Sequence, residues 1–400
     1  MFGAMSTTRP PIDATFAEGA GAVVVGVMSG TSLDGLDLCA AHLHLDRSGS
    51  WTYQILASDS EAYPPLLARR LSRAYRLAHA RVDGGGVDLR AGGGELRQLD
   101  HDFGLLIGDR VHAFVADLGR LPTGRSGVDL VASHGHTVHH RPDESYTLQI
   151  GSAAAIRTAC RLPVVNDFRR RDVGLGGQGA PLVPVADRLL FGRYAQCLNL
   201  GGFANVSYER QGARTAFDIG PANLLLNRLA AVADLTYDAG GVLAKAGQVD
   251  ARLFHALNAL DYYRNPPPKS LGREWLEAEV WPLFAEKNPR RGNVTDLLAT
   301  AAQHIAQQLA RAINAGPEGE VLTTGGGAHN SDLIRRTRER LSPARTLTIP
   351  DRKLVEQKEA LAFALLGALR MRGEPNALAN VTGAVRDSCG GEFASGDATI

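Results

Sequence analysis

A pattern of apolar strand, glycine turn and apolar strand occurs twice in this chain, about half a chain apart. It appears first in "VVVGVMSGTSLDGLDLCAAHL", Val23 to Leu43, and again in "QCLNLGGFANVSYERQ", Gln196 to Gln211. Val23 to Val27 reads as a buried strand, and Leu36 to Leu43 as its returning partner. A tight hairpin needs about two connecting residues. The connection from Ser29 to Gly35 is longer, and with its hydroxyls, two glycines and a carboxylate it can wrap a phosphate. The repeat predicts a duplicated architecture with one such unit opening each of two lobes. A length of 400 residues, 44% of them apolar and 21% charged, suits two soluble cores of roughly 150 to 200 residues each.

Alternating strand-like and helix-like segments place the chain in the α/β class. Pro64 to Ala80 has helical spacing, Arg81 to Asp100 carries two Gly triplets and reads as an exposed excursion, and a helix follows around Leu105 to Leu118. "VDLVASHGHTV", "YTLQIGS" and "LPVVNDF" read as strands. A third glycine turn, Gly325 to Gly327, follows an apolar strand and precedes a helix carrying Asn330. Glycines let the backbone approach a ligand, and helix N-termini offer free N–H groups. Three such turns facing one cleft would make a nucleotide site. The expected division is a disordered extension over 1–20, an N-terminal lobe over 21–160 with a helix near 356–372 packing back on it, a C-terminal lobe over 161–385, and a flexible tail over 386–400.

Several function classes are disfavoured. A net charge of +1, without a run of five like charges, gives no general attraction to nucleic acid or anionic lipid. Cys39, Cys160, Cys197 and Cys389 are far apart and form no CxxC pair, so neither zinc nor a disulfide framework is indicated, and a reducing cytoplasm fits best. The first twenty residues lack the pattern of a secretory leader, and no segment approaches a membrane-spanning apolar run. No Walker-type phosphate loop occurs. Gly174, Gly176 and Gly179 do spell G-x-G-x-x-G, but they follow charged "RRRD" rather than a strand and lack an acidic residue at the ribose position.

Nine segments, in order, carry a family resemblance: "GVMSGTSLDGLD", "SHGHTVHHRP", "NDFRRRDVGLGGQGAPLVP", "NLGGFANVS", "FDIGPANLLLN", "PPPKSLGREW", "DLLATAAQHIA", "TTGGGAHN" and "EALAFALLG". From about Val24 to Gly383 the chain resembles the anhydro-N-acetylmuramic acid kinases. The resemblance implies two lobes of duplicated ribonuclease-H-like topology around an ATP cleft, as in actin, hexokinases and chaperone ATPases. It also implies a reaction in which ATP, water and 1,6-anhydro-N-acetylmuramic acid give N-acetylmuramic acid 6-phosphate and ADP, within peptidoglycan recycling, and a homodimer. Such chemistry requires a base for the water, donors or metal for the phosphates, and a grip on the sugar and its lactyl carboxylate.

Asp218, at the end of an apolar strand before a Gly-Pro turn, can project into a cleft, and by resemblance it is the catalytic aspartate; the bland alternative is a cap on the helix near Pro221. The expected phosphate loop comprises Gly30, Thr31, Ser32, Leu33, Asp34, Gly35, Leu36 and Asp37, with Asp34 or Asp37 binding Mg²⁺ through water. Gly201, Gly202 and Asn205 would supply a second phosphate loop, and Gly325, Gly326, Gly327 and Asn330 would lie against the adenosine. For the sugar the candidates are His134, His136, Thr137, Asp167, Arg169, Asp172, Gln178 and Glu359. A planar arginine fork suits a carboxylate, and only one of Arg169, Arg170 and Arg171 need point inward. His136 departs from the family, where Gln is expected. Lys269, Ser270 and Arg273 match a family loop without a derived role; otherwise they belong to a prolyl-rich linker. Two other functions compete: a kinase of another sugar acid without ring opening, and a nucleotide-dependent sensor on the same scaffold.

Overall fold

The computed structural model describes residues 16, 17, 19, 21–30, 35–77, 93–119 and 127–394. The chain divides into two compact units, one of residues 1–190 with 359–400 and the other of residues 191–358.

The first unit is built on a six-stranded sheet. Its strands are β1 (Gly21–Ser29), β2 (Gly35–Leu45), β3 (Trp51–Ala62), β4 (Leu130–Ser133), β7 (Val164–Asn166) and β13 (Glu392–Ala394), in the order β13-β7-β4-β1-β2-β3. A short antiparallel pair, β5 (His136–Arg141) with β6 (Tyr146–Ile150), stands apart from it. β1 is apolar along nearly its whole length because both of its faces are covered. Val23, Val25 and Val27 pack in one core with Phe103 and Ile107 of the helix Gly93–Asp117. On the other face Gly26 lies against the helix Arg352–Arg372, so closely that a Cβ there would overlap the Ala360 carbonyl oxygen.

The second unit holds a five-stranded sheet. Its strands are β8 (Gln196–Leu200), β9 (Phe203–Arg210), β10 (Ala213–Pro221), β11 (Gly319–Thr324) and β12 (Arg345–Thr348), in the order β10-β9-β8-β11-β12. Leu198, Leu200 and Val206 share a core with Leu298, Ile305 and Leu309 of the helix Val294–Ala315. Both sheets begin with three antiparallel strands and continue with two parallel ones on the far side of the first strand. This shared order is the duplicated ribonuclease-H-like topology. The twin hairpins read from the sequence are β1–β2 and β8–β9.

The units do not divide at 160. β7 pairs with β4 in the first sheet, so the chain stays in the first unit as far as Leu190. Nor is the segment after 386 a loose tail up to Ala394. Ser388 bridges Ala377, the buried Asn376 side chain bonds both the N–H and the carbonyl of Gly390, and β13 pairs with β7. Main-chain pairing of this kind leaves no apolar period in the sequence. The expected excursion is partly helical, since the helix Gly93–Asp117 begins within it; residues 78–92 lie outside the described ones, as do 395–400 and nearly all of 1–20. Among the described residues no helix is long and apolar enough to cross a membrane. Gly26→Ala should cost about 3 kcal/mol of unfolding free energy, because the clash is with main chain that cannot rotate away. An unchanged urea midpoint would refute that packing.

Candidate active site

Asp218 sits on β10 at a bulge, where the pairing with β9 shifts between Asp218 and Gly220. Its side chain does not cap the helix Asn223–Ala230, whose N-cap is Ala222 without a side-chain bond. Instead Oδ2 accepts the Leu271 N–H at 2.9 Å, and Oδ1 takes no hydrogen bond from any described residue. Burial pushes the carboxyl pKa up to about 6, against the smaller opposing effect of that N–H. A carboxylate with one oxygen held, one oxygen open and a pKa close to neutrality has the properties of a general base. Tyr262 and Leu271, which bond it, were missed from the sequence; the "PPPKSLGRE" segment, which contains Leu271, was the available signal.

Two of the glycine turns meet in this unit. Gly201 and Gly202 form the two-residue β8–β9 turn, whose carbonyls accept N–H bonds from Ala222, Asn223 and Leu224. The third turn, at the end of β11, packs on the end of β8. Gly325 has φ +82°, and a Cβ on it would press on Asn199 and the Leu200 main chain. Gly327 likewise lies on Leu200 and Asn223, and Asn223 in turn donates to the Leu200 carbonyl at 3.0 Å. Gly326 is exposed beside them. Asn223 is therefore a tie between the turns that sequence reading did not single out. Asn205 lies on β9, paired with Asn199 and Asp218. Asn330 caps the helix Ser331–Arg338 through its Oδ1, which accepts the Leu333 N–H at 3.0 Å.

In the first unit Arg169 is the arginine that turns inward, while Arg170 is exposed and paired with Asp167 (2.6 Å) and Glu392 (2.8 Å). The Arg169 Nε and Nη2 both donate to His134 Nε2, at 3.0 and 2.9 Å, and Nη1 donates to the Gly179 carbonyl at 2.7 Å. Because Nε2 is an acceptor, His134 carries its proton on Nδ1 and donates it to the Gly135 carbonyl at 2.8 Å. Burial and then the Arg169 charge hold His134 well below its ordinary pKa, which keeps the ring neutral. Burial lowers Arg169 to about 10, opposed by Glu359, so it stays cationic at neutral pH. One N–H on each of Nη1 and Nη2 remains for an anion. Sequence reading placed His134 against the ligand; in the structure both ring nitrogens are engaged, Nε2 by Arg169 and Nδ1 by the Gly135 carbonyl.

His136 is buried beneath β1. Tyr63 donates its phenol proton to Ser29 Oγ at 2.7 Å, and Ser29 Oγ in turn shares a hydrogen bond with His136 Nδ1 at 3.1 Å. Burial lowers His136 to about 4. Thr137 accepts from Gln149 at 3.4 Å, Gln178 is exposed at the turn before Gly179, and Asp167 is pushed up by burial against the pull of Arg170. Asp172, expected as a ligand, is fully enclosed. Its two oxygens accept from the Gly179 N–H (2.7 Å) and the Thr382 hydroxyl (2.8 Å), which clamps the glycine loop that carries the Arg169 acceptor.

Of the expected phosphate loop, Thr31, Ser32, Leu33 and Asp34 lie outside the described residues. Gly30 follows β1, Gly35 opens β2, and Leu36 points into the core, which leaves it only main chain to offer a ligand. Asp37 Oδ1 accepts from Ser60 Oγ at 2.6 Å. Among the described residues no three His, Cys, Asp or Glu side chains converge as a metal cluster.

The family model for anhydro-N-acetylmuramic acid kinase matches residues 22–394. Curated relatives bearing that name include one from Gloeobacter violaceus, 36% identical over 91% of this chain and 96% of its own. Another, from Salinibacter ruber, is 37% identical over 90% and 93%, and one from Vibrio cholerae is 34% identical over 90% and 95%. Asp172→Ala should lower the unfolding free energy by about 2 kcal/mol, since it strands the buried Gly179 N–H, while the Thr382 hydroxyl can still turn to the Leu378 carbonyl. Wild-type stability in urea would show the clamp to be idle.

Proposed function

Since the chain belongs to the anhydro-N-acetylmuramic acid kinase family, we propose that it phosphorylates 1,6-anhydro-N-acetylmuramic acid with ATP while water opens the anhydro ring. The half-buried Asp218 carboxylate, with an open oxygen and a raised pKa, carries this reading. Oδ1 takes a proton from water, the water oxygen bonds to C1, the C1–O6 bond breaks, and O6 bonds to the γ-phosphorus as ADP leaves. The products are N-acetylmuramic acid 6-phosphate and ADP, as peptidoglycan recycling requires.

Arg169 is the group for the lactyl carboxylate, supported by its two remaining N–H groups and its rigid mounting on His134 and Gly179. Thr137, Gln178, Asp167 and Glu359 are further candidates around the sugar. In the second unit the turns at Gly201–Gly202 and Gly325–Gly327 would hold ATP through main-chain groups, and in the first unit Gly30 is a phosphate-loop candidate. Mg²⁺, which neutralises phosphate charge when bound, suits a site made of one or two carboxylates, water and phosphate oxygens; Asp34 or Asp37 would hold it. The enzyme works in the cytoplasm as a homodimer.

Incubation with Mg-ATP and the anhydro sugar in H₂¹⁸O should give a phosphorylated product with one ¹⁸O at C1; product lacking ¹⁸O would sink the coupled ring opening. Asp218→Asn should lower kcat by about a thousandfold and leave ATP affinity intact, and unchanged turnover would refute the base. The base works ionised, so kcat/KM should hold above pH 6 and fall about tenfold per pH unit below it, as Asp218 is protonated. A flat profile to pH 5 would contradict the assignment.

A further inference from the structure

The segment from Tyr262 to Leu271 touches Asp218 at each of its main-chain polar groups and at its carboxylate. The Lys269 carbonyl accepts the Asp218 N–H at 3.1 Å, the Tyr262 phenol donates to the Asp218 carbonyl at 2.6 Å, and the Leu271 N–H donates to Oδ2 at 2.9 Å. The segment is also closed on itself. Lys269 Nζ donates to the Tyr262 carbonyl at 3.0 Å and lies 4.4 Å from the centre of the Tyr262 ring. Between the two anchors run Pro266, Pro267 and Pro268, whose rings restrict φ and so limit the paths this strap can take. Beneath it Tyr263 packs on Gly220 and meets His304 Nε2 at 2.9 Å, and Trp275 packs on both tyrosine rings.

We propose that this strap positions the base: the Leu271 N–H holds Oδ2 and leaves Oδ1 to take the proton, and Tyr262 and Lys269 are positioning residues that keep the strap in place. The proposal rests on Asp218 being the base. A strap that only completed the main-chain bonds of the β10 bulge would have no need of the bond to Oδ2. The charged and titratable groups on the surrounding elements are few. The Tyr262 phenol faces Asp218, the Lys269 ammonium lies over Tyr262 with Arg311 felt beyond it, and the buried His304, lowered to about 3, is neutral. None of these cations is bonded to the carboxylate, so the Leu271 N–H is the contact that favours its charged form.

The test compares Tyr262→Phe, Lys269→Met, Lys269→Arg and Asp218→Asn in the full chain, reading thermal melts, kcat, KM for ATP and the pH profile of kcat/KM. Loosening the strap weakens the N–H bond to the charged form, so burial should carry the acid limb to higher pH by about half a unit or more. We expect this shift in Tyr262→Phe and Lys269→Met with kcat about tenfold lower and KM for ATP unchanged, and Lys269→Arg, which keeps a cation over the ring, should restore the limb. Wild-type kcat and limb in both variants, with Asp218→Asn inactive, would overturn the strap and spare the base. A lower melting temperature with the limb unmoved would also overturn it, as a purely structural role. Full turnover by Asp218→Asn would remove the base and the strap's function with it. If Tyr262→Phe fails to fold, Lys269→Met decides by the same readings.

Discussion

Both units depend on main chain touching main chain where a side chain would not fit. Gly26 brings β1 onto the Ala360 carbonyl, and Gly325 brings the end of β11 onto Leu200. Such contacts fix the spacing between elements more tightly than side-chain packing can, because neither partner has a rotamer to change. In the second unit the result is a surface made of turns, with Gly201, Gly202, Gly326 and Asn223 gathered at the ends of β8 and β11. A ligand meeting such a surface is read by N–H and C=O groups whose positions are set by the sheet itself.

Charge is handled in two ways. Asp218 is left in a partly apolar wall with a single N–H on its carboxylate, which raises its proton affinity. Arg169 is gripped by a neutral histidine lone pair and a carbonyl. A carboxylate in place of His134 would orient the guanidinium equally well but would cancel its field at short range. An imidazole kept neutral by burial aligns the cation and leaves its charge uncancelled, with Glu359 exerting only a longer-range pull. The His134–Arg169 pair is thus a mount and a charged head with separate tasks.

Much of this was legible in the sequence. β1 announced itself because a strand buried on both faces is apolar throughout, and the glycine turns because backbone contacts exclude other residues. The half-buried position of Asp218 was legible from its place between an apolar strand and a Gly-Pro turn. What stayed hidden depends on distant partners. Asp172 looks like a ligand until Gly179 and Thr382 are seen to take its two oxygens. Which of Arg169, Arg170 and Arg171 turns inward is decided by His134, and the enclosure of Asp218 by residues more than forty positions onward. The order of the stretch after 386 comes from main-chain pairing, which composition does not report.

The first unit is discontinuous: its sheet is finished by β13, and its helix against Gly26 comes from residues beyond 358. The second unit is one uninterrupted stretch. On the ribosome, where segments fold as they emerge, the second unit has all its residues before the first does. The N-terminal half of the first unit must then wait, with the far side of β1 uncovered, until the last part of the chain has been made. Premature termination near residue 350 would leave that apolar strand face exposed, so the first-made strand is covered only once the helix Arg352–Arg372 has been made.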